Sequence, residues 1–150
     1  MKTIGSILLV ISNIILVNAQ KEFINPFPNK PTGYTHVVVV NGPGKTIYIS
    51  GQVALNAQGE VVGKGDLQVQ TVQVYENLKT ALQAAGATFN DVVKLNTYIV
   101  NYKPEQVAIV RSVRSNYISK ENPPASTLIG VQALVNPDFL IEIEAIAVLK

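Results

Sequence analysis

The stretch Leu140-Ile141-Glu142-Ile143-Glu144-Ala145-Ile146-Ala147-Val148-Leu149 decides the fold. Ile141, Ile143 and Ala145 alternate with Glu142 and Glu144, the period-two pattern of a strand with one buried face. The two carboxylates, two residues apart, project from the same face at about 7 Å spacing. The Asn136-Pro137-Asp138 turn precedes this strand, and Thr127 to Leu134 forms another strand before the turn.

Working outward, Val92 to Val100 reads as a long strand and Asp66 to Ala85 as a helix. Leu67, Thr71, Val74, Tyr75, Leu78, Leu82 and Ala85 recur at three- and four-residue steps and make one apolar face. Asp66 can cap the helix, and Gly86 can end it in the left-handed conformation. Pro104-Glu105 opens a second helix whose stripe is Val107, Val110, Val113 and Tyr117, with Pro123-Pro124 as its stop. Earlier in the chain, His36 to Val40 and Thr46 to Ala54 read as strands joined by Asn41-Gly42-Pro43-Gly44 in a meander that continues to Val61-Val62. Residues 20–32, with Pro26, Pro28 and Pro31, read as an extended lead-in without regular structure. The expected order is β-β-β-α-β-α-β-β, an α+β fold with a mixed sheet and two helices on one face. Two short helices cover only one face of that sheet. Apolar residues expected on the other face argue for assembly, sheet against sheet.

The first nineteen residues read as a signal peptide. Lys2 supplies a positive start, Ile4 to Val17 an apolar core, and Val17-Asn18-Ala19 a cleavage site. The core is shorter than the roughly 20 residues of a membrane span. An uncleaved anchor and a buried helix are the alternatives. Cleavage after Ala19 leaves 131 residues, no stable membrane anchor, and a periplasmic or secreted protein.

Composition removes most enzyme chemistries. The 150 residues contain no Cys and one His, so thiol nucleophiles, Cys-ligated metals and multi-His metal sites are excluded. A net charge of +2 gives no electrostatic footprint for nucleic acid. Carboxylates remain as the candidate acid–base groups.

Ile49-Ser50-Gly51-Gln52, Asn90-Asp91-Val92-Val93-Lys94, Asn122-Pro123-Pro124-Ala125-Ser126 and Ile141 to Val148 together resemble the RidA (YjgF) family of reactive-intermediate deaminases. The resemblance covers residues 33–150. It implies a chorismate-mutase-like fold, a homotrimer with a central barrel of sheets, and a small-molecule cleft at each subunit interface. It also implies hydrolysis of enamines and imines to a carbonyl product and ammonia, with no metal or cofactor. Carried over by position, Glu142 handles the attacking water, and Tyr34, Ser50, Gly51, Ser126 and Leu128 line the cleft. The family's carboxylate-binding Arg falls on Ser126. Only Arg111 and Arg114 exist in the chain, and both read as a solvated helix face. The expectation is therefore altered or lost deaminase activity, with a preference for substrates without a carboxylate. A non-catalytic metabolite-binding trimer and a scaffolding trimer are the alternatives. Export adds weight to these alternatives or to a different imine, because the usual imines arise in the cytoplasm.

Several residues carry two readings. Glu142 and Glu144 each act in the cleft, or face solvent or pair with a neighbouring subunit's Lys; for Glu142 the cleft role leads, for Glu144 the other reading. Ser50-Gly51 is a cleft floor or a bulge in a bent strand. Tyr34 covers the cleft or lies on the surface. His36 is a structural residue or a general base. Ser126 bonds a neutral ligand or fills space.

Overall fold

The computed structural model describes residues 19–25, 35 and 37–149. The segment before Ala19 that reads as a signal peptide, the prolines of the lead-in, Tyr34 and His36 lie outside these residues. Six strands and two helices follow in the order β1 (Gln20–Ile24), β2 (Val37–Asn41), β3 (Lys45–Gln52), α1 (Leu67–Ala84), β4 (Val92–Val100), α2 (Gln106–Arg114), β5 (Ala125–Val131) and β6 (Ile141–Leu149).

The main sheet has the strand order β3-β6-β4-β5. β6 runs antiparallel to both β3 and β4, whereas β4 and β5 are parallel. The mixed sheet expected from the sequence is therefore present. Within one chain it is open, with β3 and β5 at its edges, and does not close into a barrel.

α1 forms where the apolar spacing places it. The Asp66 side chain accepts a hydrogen bond from the Val69 N–H, and Gly86 follows with a φ of 79°. Its buried face packs on Ile47, Ile49, Ile143 and Ala145 of the sheet. Gln70 also lies fully buried on this face. Its Nε2 donates to the Asp138 and Gly63 carbonyls, and its Oε1 accepts from the Leu140 N–H. This amide ties α1 to the turn that launches β6. α2 buries Val110 and Val113 but ends at Arg114, well before Pro123-Pro124.

The first third of the chain departs from expectation in two places. Gln20–Ile24 is a regular strand rather than an unstructured lead-in, because its backbone pairs antiparallel with β2. Lys21 anchors it by donating to the Asn90 carbonyl at 2.8 Å and pairing with Asp91. The meander is absent as well. β2 pairs with β1 in a separate two-stranded sheet, while β3 directs its ladder to β6. Val61 contributes only an isolated bridge to Leu55. The turn between them is held by Asn56, whose Oδ1 accepts from the Gln58 and Glu60 N–H groups.

The face away from the helices also differs from expectation. A register shift between Val92 and Lys94 turns Val92 inward beside Leu95 and Ile99. Lys94, Asn96 and Tyr98 then share the opposite face with Glu142 and Glu144. Much of that face is polar rather than apolar, although Tyr48 on β3 is 78% exposed.

Candidate functional site

Glu142 stands opposite Tyr98 on the open face of the sheet, half-buried between two apolar core positions. Its carboxylate lies directly over Gly51. A Cβ at position 51 would overlap the Glu142 Oε1 and sit 2.5 Å from its Cδ. The β3–β6 register shifts between Ile49 and Gln52, so Ser50 and Gly51 form a bulge there. The bulge reading of Ser50-Gly51 is therefore present in the structure, and its glycine makes room for the Glu142 carboxylate.

Glu144 forms the strongest polar cluster on this face. Its Oε1 accepts from Asn96 Nδ2 at 2.7 Å and from the Tyr98 hydroxyl at 2.8 Å. These two bonds, led by Asn96 and helped by the nearby Lys94 charge, hold its carboxyl below the usual range. The bond to Glu144 in turn raises the Tyr98 hydroxyl. Glu144 is thus bonded within its own chain, which neither sequence reading provided for. Lys94 Nζ donates to Thr127 Oγ1 at 2.6 Å. Tyr48, Ser50, Lys94, Asn96, Glu144 and Ile146 line an open cavity of about 320 Å³. Asn96 and Tyr98 were missed in the sequence, although the alternation Lys94-x-Asn96-x-Tyr98 marks one polar face.

Ser126 and Leu128 lie elsewhere. They pair with Leu95 and Thr97, both on the helix side, so they share that side rather than the face of Glu142. β4 also stands between β5 and β6. Within one chain the structure joins Glu142 with Ser50 and Gly51, but not with Ser126 and Leu128. Thr35 bridges Ala125 at the start of β5, its N–H donating to the Pro124 carbonyl and its hydroxyl to the Pro123 carbonyl.

Arg114 corrects the expectation of a solvated helix face. It is half-buried, and its Nη1 donates to Ser126 Oγ at 3.3 Å. The spacing from Val110 to Arg114 is one helical turn, which places Arg114 on the buried side. That signal was present in the sequence.

Comparison with known proteins identifies the lineage. The endoribonuclease L-PSP family model matches residues 27–149. The chain belongs to this family, which includes the RidA/YjgF proteins. It is 31% identical over 135 residues to a protein of Dermatophagoides farinae named 2-iminobutanoate/2-iminopropanoate deaminase, covering 89% of this chain and all of that one. A RutC family protein of Pyrococcus abyssi is 40% identical over 120 residues, 79% of this chain and 88% of its own. Among solved structures, a Rid-family protein of unknown function from Yersinia pestis superimposes with a TM-score of 0.77 at 47% identity, covering 86% of this chain and 98% of its own. RidA from Psychrobacter gives a TM-score of 0.63 at 31% identity, covering 80% and 91%. The RidA-like chain thus has the two helices and mixed sheet expected of the family. Among its described residues, no group of three or more His, Cys, Asp or Glu is placed to hold a metal ion.

Proposed function

We propose that this RidA-family protein hydrolyses enamine or imine intermediates to a carbonyl product and ammonia, with Glu142 as the proton-handling group. The observation that carries the reading is the Glu142 carboxylate, seated over the Gly51 bulge on a polar sheet face. The deaminase name of the Dermatophagoides relative supports the reaction class.

In the proposed reaction Glu142 takes a proton from water as the water oxygen bonds to the imine carbon. The C=N π pair moves to nitrogen, which is protonated. The resulting carbinolamine then expels ammonia as its C–O bond becomes the carbonyl. An enamine first tautomerises to the imine. Each proton taken up is returned, so one carboxylate is sufficient.

The cleft in this reading lies between copies of the chain in a homotrimer. The separation of Glu142 from Ser126 and Leu128 supports this, since one chain leaves the set divided. Tyr34, adjoining Thr35 in sequence, belongs to the same proposed cleft.

The test is ammonia release from freshly generated 2-aminoacrylate. Wild type should exceed the spontaneous rate, and Glu142→Ala should lower the enzymatic rate about 100-fold or more. Equal rates for the two would overturn the assignment. A folded wild type with no activity would instead favour binding without turnover, the reading to which Ser126 in place of Arg lends weight. Export rests on the pattern of residues 1–19 and is tested by mass spectrometry of the exported protein, where an intact Met1 would refute cleavage.

A further inference from the structure

Asn41 closes β2, and it is the sole asparagine of the chain followed by a glycine. Asn25, Asn122 and Asn136 precede prolines, whose nitrogen carries no hydrogen. Asn41 and the turn residues Gly42, Pro43 and Gly44 are all exposed. Gly42 holds a φ of 90°, a conformation that any side chain strains. The turn therefore needs the one residue that leaves its nitrogen unshielded next to the Asn41 side chain.

A single contact directs that side chain elsewhere. Asn41 Nδ2 donates to Glu22 Oε1 at 2.8 Å, across the β1–β2 pair. Glu22 stands opposite Val39, so Glu22 and Asn41 are diagonal neighbours on one face. The turn is also where β1, β3 and β6 come together. A Cβ at Gly44 would lie 2.9 Å from the Ala19 Cβ and 2.8 Å from the Leu149 carbonyl oxygen.

We propose that Asn41-Gly42 is a site of spontaneous deamidation, that the bond to Glu22 restrains it, and that its product detaches β1 from β2. The Gly42 nitrogen gives up its proton and bonds to the Asn41 Cγ as ammonia leaves. Water then opens the cyclic imide at one of its two carbonyls. One opening gives aspartate, and the other gives isoaspartate, which adds a methylene to the main chain. Either product replaces the amide donor with a carboxylate beside Glu22, and like charges on paired strands repel. Isoaspartate also lengthens the main chain at the end of β2, which disturbs the register there. The step consumes water alone and does not involve Glu142 or the proposed cleft.

The test is peptide mapping of the full chain after incubation in mildly alkaline buffer. Conversion of amide to acid is read by mass at each asparagine, and isoaspartate by an isoaspartyl methyltransferase label. Asn41 should convert at least tenfold faster than Asn56 or Asn116, and Glu22→Ala should speed it at least threefold. Conversion of Asn41 no faster than that of Asn56 or Asn116 overturns the site. An unchanged or slower rate in Glu22→Ala overturns the restraint. The consequence is read by hydrogen exchange in Asn41→Asp. The β1 amides should exchange at least tenfold faster than in wild type, while those of β6 stay unchanged. Adding Glu22→Gln should restore slow exchange, because the new amide can donate to the new carboxylate. Exchange in Asn41→Asp that matches wild type overturns the detachment, and no recovery in the double variant overturns its attribution to charge.

Discussion

The carboxylate of Glu142 occupies the space that any side chain at position 51 would need. Both residues belong to the candidate site, so each constrains the other. The conflict in Gly51→Ala falls on the flexible end of a glutamate, which can swing aside, rather than on backbone. The expected stability loss is small, below about 1 kcal/mol, at the low end of overpacking costs. Ammonia release should nevertheless fall about 100-fold, toward that of Glu142→Ala, because the displaced carboxylate no longer meets the water. Melting temperature and turnover measured on the same sample check this; a large loss of stability with normal turnover would contradict it.

Glu144 provides a pH test. Its hydrogen bonds from Asn96 and Tyr98 lower its folded-state pKa below the ordinary value of 4.5. A group depressed in the folded state contributes stability above its unfolded pKa and loses that contribution as pH falls through the folded value. Wild type should therefore be more stable than Glu144→Gln at pH 7, and the gap should close on acidification below about pH 4.5. The site is partly open to solvent, so screening keeps the gap below about 1 kcal/mol. Melting temperatures of both proteins between pH 3 and pH 7 measure it.

What was legible in the sequence divides by range. α1 was readable because its cap, its apolar spacing and its terminating glycine are all local. β6 was readable because alternation with period two survives wherever one face is buried. The place of Glu142 on the open face came with the same alternation. Partners outside that range were not readable. Val37–Asn41 next to a glycine turn looks like half of a hairpin, and nothing local reveals that Gln20–Ile24 takes its ladder instead. The bulge between Val92 and Lys94 turns Val92 rather than Val93 toward the helices, and such a one-residue shift leaves no local signature. Arg114 was legible in spacing, yet charge argued for solvent and concealed its contact with Ser126.

Tyr117 gives a second titration. Its hydroxyl donates to Glu76 Oε1 at 2.8 Å, and its ring stacks on Tyr75 at 4.8 Å. Burial, assisted by Glu76, raises the Tyr117 hydroxyl to about 12, and burial, opposed by Arg114 and assisted by Tyr117, raises Tyr75 to about 12. Spectrophotometric titration should show these two, together with Tyr98, lagging the ordinary value of 10. The stabilisation from Tyr75 and Tyr117 is fully present below pH 10 and is lost as pH rises toward 12. Tyr117→Phe keeps the ring stack, removes the bond to Glu76, and should cost about 0.5–1.5 kcal/mol in urea unfolding at pH 7.

The opposite placement of Glu142 and Ser126 predicts complementation between copies. Glu142→Ala removes the proton-handling group, while Ser126→Phe fills the other half of the proposed cleft; each should be inactive alone. Suppose each active cleft takes Glu142 from one chain and Ser126 from its neighbour in a closed ring. In an equal mixture refolded together, about a quarter of the interfaces should then carry both intact halves, following random assortment around that ring. Ammonia release should return to about a quarter of the wild-type rate. A site completed within one chain gives no recovery, since every chain in the mixture carries a lesion. Mixing the two proteins without unfolding should also give none until subunits exchange, which separates complementation from contamination by wild type.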